Sequence, residues 1–85
     1  MEVSALPCVH FYMKENCALC DDIKAQLWLL QQYYDFEIEE RDIYTCDEWL
    51  MEYQLSIPVV ELNGNQLDCE SASYQTIEKL LKEKT

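Results

Sequence analysis

Glycine and proline are scarce in this chain, at one and two residues in 85. That leaves no room for a low-complexity linker, and a single domain over 1–85 is expected. Basic residues are scarce too: six Lys and Arg stand against seventeen Asp and Glu, for a formal charge of −11. Such a surface repels phosphate backbones and anionic lipid, so no nucleic-acid partner is expected. No charge-poor apolar run approaches the roughly 18 residues of a membrane span, so no membrane partner is expected either. The opening MEVSALPCVHFY lacks a basic stretch followed by an apolar one, which argues against a secretory leader. Internal repeats are absent.

What is present points to a folded domain. Apolar residues make up 49% of the chain, with two Trp, six Tyr and two Phe among them. That is too much apolar surface for a disordered segment. A chain this short buries only about 60–65% of its unfolded surface, so one modest core is expected. The five cysteines are Cys8, Cys17, Cys20, Cys46 and Cys69. An odd count without a leader argues against a structural disulfide framework and for a reducing, cytoplasmic setting. There, a Cys-x-x-Cys pair points to redox chemistry or metal binding.

The hydrophobic pattern changes period along the chain. CVHFY, residues 8–12, reads as a buried parallel strand, with Pro7 tolerated at its start. Cys20, Ile23, Leu27, Leu30 and Tyr34 recur at helical spacing, which predicts a helix starting near Cys17. Trp28 falls off that stripe. FEIEERDI, residues 36–43, sets Phe36 and Ile38 against Glu37 and Glu39, the alternation of a charged edge strand. Thr45-Cys46-Asp47-Glu48 reads as a capping box. The helix it opens turns Trp49, Leu50 and Tyr53 inward and ends near Leu55. IPVVEL, Asn63-Gly64 and NQLDC form a hairpin with a type I′ turn. A last helix, roughly Ser71 to Lys84, carries Tyr74, Ile77, Leu80 and Leu81, with Ser71 or Ser73 as its cap. The order is β-α-β-α-β-β-α. The first two strands should be parallel, the last two antiparallel, in a four-stranded mixed sheet with helices on both faces.

Position gives Cys17-Ala18-Leu19-Cys20 its meaning. The pair follows the first strand and opens the first helix. A thiol there meets unpaired backbone N–H groups and the positive end of the helix dipole. Its thiolate is stabilised, and its pKa falls below the free value of about 8.5. The thiolate is the nucleophile of disulfide exchange. Two intervening residues let the second thiol return on the first within one turn. Structural packing and metal ligation stay open as alternatives. A zinc site needs four ligands, only Cys8, Cys46, Cys69 and His10 remain as candidates, and none forms a second Cys-x-x-Cys, so no metal is expected. Cys8 and His10 fit strand packing, and Cys46 fits a small residue in a helix's first turn. Cys69 fits either packing or a third redox thiol. Trp28, Trp49 and Tyr33 could form a contact patch, although packing explains most of that set.

This arrangement resembles the glutaredoxins of the thioredoxin superfamily, in particular short glutaredoxin-like proteins with C-x-L-C centres. FYMKENCALC at the strand–helix junction, SIPVVELNG, the Asn63-Gly64 hairpin and the closing helix carry the resemblance across nearly the whole chain. It implies a thiol–disulfide oxidoreductase in which Cys17 attacks and Cys20 resolves. It implies that Pro58 is cis and faces the dithiol, and that the Ile57 backbone pairs with an extended substrate. Lys14 matches the family's basic residue before the active site. The implied partners are protein or small-molecule disulfides and a cellular thiol reductant. The chain is expected to be a monomer with no bound cofactor. Two departures bear on glutathione as electron donor. Ala18-Leu19 replaces the frequent Pro-Tyr, and Asp68-Cys69 occupies the place of a Gly-Gly pair whose amides approach glutathione. Side chains there, one of them anionic, would crowd an anionic tripeptide. A non-turnover binding, adaptor or metal-binding module of the same fold is the alternative function.

Overall fold

The computed structural model describes residues 6–83. Along them run β1 (Cys8–Met13), α1 (Ala18–Leu30), β2 (Glu37–Asp42), α2 (Asp47–Tyr53), β3 (Val59–Leu62), β4 (Asn65–Leu67) and α3 (Tyr74–Glu83). The strands form one sheet in the order β2-β1-β3-β4. β1 pairs parallel with β2 and antiparallel with β3, and β3 pairs antiparallel with β4. This is the expected mixed sheet, with the acidic strand at an edge.

Alternation along β1 divides the side chains between two layers. Val9 and Phe11 join Val60 and Leu62 of β3 under Cys20, Ile23, Leu27 and Leu30 of α1 and Ile77 and Leu81 of α3. Tyr12 and Val59 join Ile43 and Tyr53, with Trp49 and Leu50 of α2 packed against them. Helices therefore cover both faces. Cys20, Ile23, Leu27 and Leu30 of the predicted stripe are the buried face of α1, Tyr34 falls half-buried past the helix end, and Trp28 is 56% exposed. Arg41 of β2 closes the second layer. Its guanidinium lies over the Tyr12 and Trp49 rings and donates to the Tyr12 hydroxyl at 2.7 Å.

Local chemistry corrects several expected boundaries. The Thr45–Glu48 capping box does not form. Asp42 instead caps a 3-10 turn over Ile43–Thr45, accepting from the Tyr44 N–H at 2.9 Å. Thr45 spends its hydroxyl on the Asp42 carbonyl, and Cys46 becomes the N-cap of α2 without a side-chain cap bond. The hairpin has its predicted turn: Asn63 at φ 52° and Gly64 at φ 85° supply the two positive angles. β4 ends at Leu67, before Asp68 and Cys69, because the Asp68 carboxylate takes the N–H groups of Glu70 and Ser71 into a turn.

Of the two candidate caps for α3, Ser73 is the one used. Its hydroxyl accepts from the Thr76 N–H at 3.2 Å, and Thr76 Oγ1 accepts from the Ser73 N–H at 2.8 Å. The helix accordingly starts at Tyr74, later than its composition suggests. Its predicted end at Lys84 lies outside the described residues. Ser73→Ala should cost about 1 kcal/mol. In a domain this small, that lowers Tm by roughly 4–8 °C, readable by thermal circular dichroism.

Candidate active site

β1 delivers the chain to the site, and α1 carries it away. Between them, Asn16 adopts φ 56°. That left-handed conformation suits Gly, Asn and Asp and penalises bulkier side chains. It turns the backbone so that Cys17 follows as the extended N-cap of α1, at φ −125° and ψ 107°. Asn16 was not singled out in the sequence, although an asparagine directly before the motif is the signal that marks it. Asn16→Val should destabilise the fold by about 1–2 kcal/mol, with Asn16→Gly nearly neutral. Urea midpoints of the two variants test this, and equal midpoints would contradict it.

Cys17 occupies the cap position usually filled by Ser, Thr, Asp or Asn. Its Sγ accepts the Cys20 N–H at 3.1 Å, while its carbonyl accepts from the Asp21 N–H at 3.0 Å. A sulfur so placed is better solvated by the backbone as thiolate than as thiol. Cys17 and Cys20 are joined as a disulfide, with Cα atoms 5.2 Å apart. Their environments differ. Cys17 is half-buried, whereas Cys20 lies on the inward stripe of α1 and is 1% exposed. Leu19 between them is 60% exposed. Lys14 is half-buried in the segment before the motif.

The Ile57–Pro58 peptide is cis. Pro58 is buried, and Ile57 packs against both hydrophobic layers. Cys17 packs against the first of these layers, so the start of α1 and the approach to β3 meet on one cluster. Next to them, the Cys69 N–H donates to the Ser56 carbonyl at 2.9 Å. The Asp68 carboxylate accepts from the Ser71 hydroxyl at 3.0 Å and from the Glu70 and Ser71 N–H groups. These bonds, the Ser71 hydroxyl foremost, hold Asp68 below the usual carboxylate range. A carboxyl depressed in the folded state stabilises it above the ordinary pKa of about 3.9 and loses that contribution as pH falls further. The 68–71 turn is thus intact at neutral pH. Asp68 and Ser56 also share the wall of a cavity of about 250 Å³ with Glu52, a second carboxylate.

The glutaredoxin-like domain model (DUF836) matches residues 8–82. The chain belongs to the glutaredoxin-like domain family. Solved structures agree on the fold. Protein Ne2328 from Nitrosomonas europaea superimposes with a TM-score of 0.76 at 23% identity, over 95% of this chain and 98% of its own. A structure described as a malarial protein gives 0.70 at 19% identity, over 92% and 96%. Oxidised mitochondrial thioredoxin 3 from Saccharomyces cerevisiae gives 0.67 at 18% identity, over 91% of this chain and 77% of its own. In the glutaredoxin-like domain described here, Cys8, Cys46 and Cys69 are free, half-buried thiols. Burial first, then Glu39 and Glu37, pushes the Cys8 thiol up. No helix among the described residues is long and apolar enough to cross a membrane.

Proposed function

We infer that this glutaredoxin-like domain is a thiol–disulfide oxidoreductase. One observation carries the reading: a half-exposed Cys17 caps α1 with its sulfur on a backbone N–H, one turn from a buried Cys20 to which it is bonded. In the reduced domain, the Cys17 thiolate attacks one sulfur of a substrate disulfide. A mixed disulfide forms and the other substrate sulfur leaves as a thiolate. Cys20 then gives up its proton and attacks Cys17 Sγ. The Cys17–Cys20 disulfide forms and the second substrate sulfur departs as a thiol. Two electrons have passed to the substrate, and a cellular thiol reductant returns them to the pair. The half-buried Ile57 flanks the substrate with its backbone, the buried cis Pro58 fixes the turn that presents it, and Lys14 supplies positive charge before the motif. The chain works as a cytoplasmic monomer, and neither a metal nor a bound cofactor takes part in the exchange at Cys17 and Cys20. Turnover of a model protein disulfide tests the reading, and absence of turnover would favour an adaptor role.

Glutathione is a poor electron donor in this reading. The Cys69 amide, which a glycine pair would offer to the tripeptide, already donates to Ser56, and Asp68 adds an anion beside it. At about 0.15 M salt, exposed charges are partly screened, so local crowding matters more than net charge. Asp68→Gly with Cys69→Gly should raise glutathione-dependent turnover severalfold while loosening the 68–71 turn. Wild-type activity equal to that of an ordinary dithiol glutaredoxin would overturn this.

Asp21 and Asp22 set the poise of the pair. Both are exposed, and Asp21 lies in the first turn of α1. Such a charge complements the helix dipole by about 0.3–1 kcal/mol. It also opposes a thiolate at the same end. Asp21→Asn with Asp22→Asn should let the Cys17 thiolate form at lower pH and make the couple more oxidising. Thiolate absorbance against pH measures it, and an unchanged curve would show that these carboxylates do not reach the sulfur.

A further inference from the structure

At the far end of β1 from the dithiol, a second group of reactive side chains meets on the sheet. Cys8 and His10 are two residues apart on one strand and so face the same side. In register, Cys8 lies opposite Glu37 of β2, and His10 lies between Glu39 of β2 and Glu61 of β3. This is the face that α2 covers, but its packing involves Tyr12, Ile43, Tyr53 and Val59, toward the other end of β1. Over Cys8, His10 and Glu61 lies a cavity of about 520 Å³. The Cys8 sulfur, one His10 ring nitrogen and one Glu39 oxygen lie within 4.8 Å of one another.

We propose that Cys8, His10 and Glu39 form a divalent-metal site suited to Zn²⁺, with Glu61 orienting the histidine. The ligand set, one thiolate sulfur, one imidazole nitrogen and one carboxylate oxygen, is the mixture zinc takes. The histidine is already arranged for it. His10 Nδ1 lies 3.1 Å from Glu61 Oε1, and a carboxylate only accepts, so Nδ1 carries the proton and donates. In the neutral ring, Nε2 is then the bare nitrogen, and it is the one facing Glu39, 3.9 Å from Oε1. Carboxylate, histidine and metal in series is the usual way a protein fixes a ligating imidazole. Glu39 has its other oxygen, Oε2, on Arg41 Nε at 2.6 Å, which leaves Oε1 for a single bond to the ion.

The distances fit with small movements. Tetrahedral zinc with bonds of about 2.0–2.3 Å holds its ligand atoms roughly 3.3–3.8 Å apart. Closing 4.8 Å to that range needs shifts on the order of an ångström, and the Glu39 carboxylate, 50% exposed, can pivot about its bond to Arg41 to supply them. Binding releases the Cys8 proton to solvent, because the ligand is the thiolate. The fourth position opens to the cavity and takes water or a small ligand. β1 steps about 3.3 Å per residue, so Cys8 lies about 17 Å and His10 about 10 Å from Met13, the end that leads to Cys17. The site is therefore independent of the dithiol chemistry.

The oxidised full-length chain is the right material, since its Cys17 and Cys20 sulfurs are tied in a disulfide and do not bind metal. Titration with Co²⁺ should give one saturable site per chain, with thiolate-to-cobalt charge-transfer absorption and the intense visible bands of tetrahedral cobalt. Added Zn²⁺ should abolish both. Cys8→Ser should remove the charge-transfer band. Glu61→Gln should weaken binding by about 10- to 100-fold through the histidine alone. Glu39→Gln, at an exposed edge position, should weaken it at least tenfold and decides the matter if Cys8→Ser does not fold. Absence of saturable Co²⁺ binding, a charge-transfer band that survives in folded Cys8→Ser, or wild-type affinity in Glu39→Gln would each overturn the site.

Discussion

Cys17→Ser is expected to reduce disulfide exchange by at least about a hundredfold, to the uncatalysed background, because no other thiol can initiate it. Cys20→Ser should behave differently. The first attack stays possible, so the variant should accumulate a mixed disulfide on Cys17 instead of turning over. The structural reason is the contrast between a half-exposed cap sulfur and a buried one. The free thiols Cys8, Cys46 and Cys69 should not substitute for Cys17, since none of them has its sulfur on an N–H at a helix start. Mass mapping of the trapped adduct reads the assignment. A mixed disulfide on Cys46 or Cys69 in the Cys20→Ser protein would assign the nucleophile elsewhere.

The second large effect concerns the core under the site. Phe11 and Leu27 are 0% exposed and meet in the cluster against which Cys17 packs. Phe11→Ala should cost about 3–5 kcal/mol, and Leu27→Ala about 2–5 kcal/mol. Stabilities of small domains run at about 5–15 kcal/mol, so either change removes a large share. Ile43→Val, in the layer on the other face, should cost only about 0.5–1.5 kcal/mol. Urea denaturation of the three variants gives the ranking. A Phe11→Ala loss no greater than that of Ile43→Val would mean that the layer between the sheet, α1 and α3 is not the dominant core.

The sequence carried the architecture because its periods are clean. Cys20, Ile23, Leu27 and Leu30 announce the inner face of α1 by spacing alone, and Asn63-Gly64 announces the hairpin. Glutamates at alternate positions mark β2 as an edge. It misled where one polar side chain had two possible partners. Thr45 and Glu48 have the letters of a capping box, yet Asp42 captures the backbone three residues earlier and shifts the helix start. Asp68 similarly ends β4 where the apolar pattern allows it to run on.

The site was legible in part. Cys-x-x-Cys after a strand and a distant Ile-Pro give its two halves. Asn16 stayed silent because an asparagine in a loop has many uses, and only the φ angle reveals this one. Arg41 and the Cys8, His10 and Glu39 group were hidden for another reason. Their neighbours come from strand pairing across 29 to 51 positions, as in His10 beside Glu61, and single-sequence patterns do not encode register. His10 read alone as a packed histidine. It is the two glutamates across from it that change its meaning.

Cys17 and Cys20 should form a reversible two-electron couple. Equilibrating the wild-type chain in a graded series of dithiol/disulfide buffers, followed by acid quench, alkylation and peptide mapping, measures it directly. Cys17 and Cys20 should lose their alkylation together in one transition fitting two electrons, while Cys8, Cys46 and Cys69 stay alkylated throughout. Cys17 and Cys20 titrating separately, or staying reduced while another pair oxidises, would contradict it.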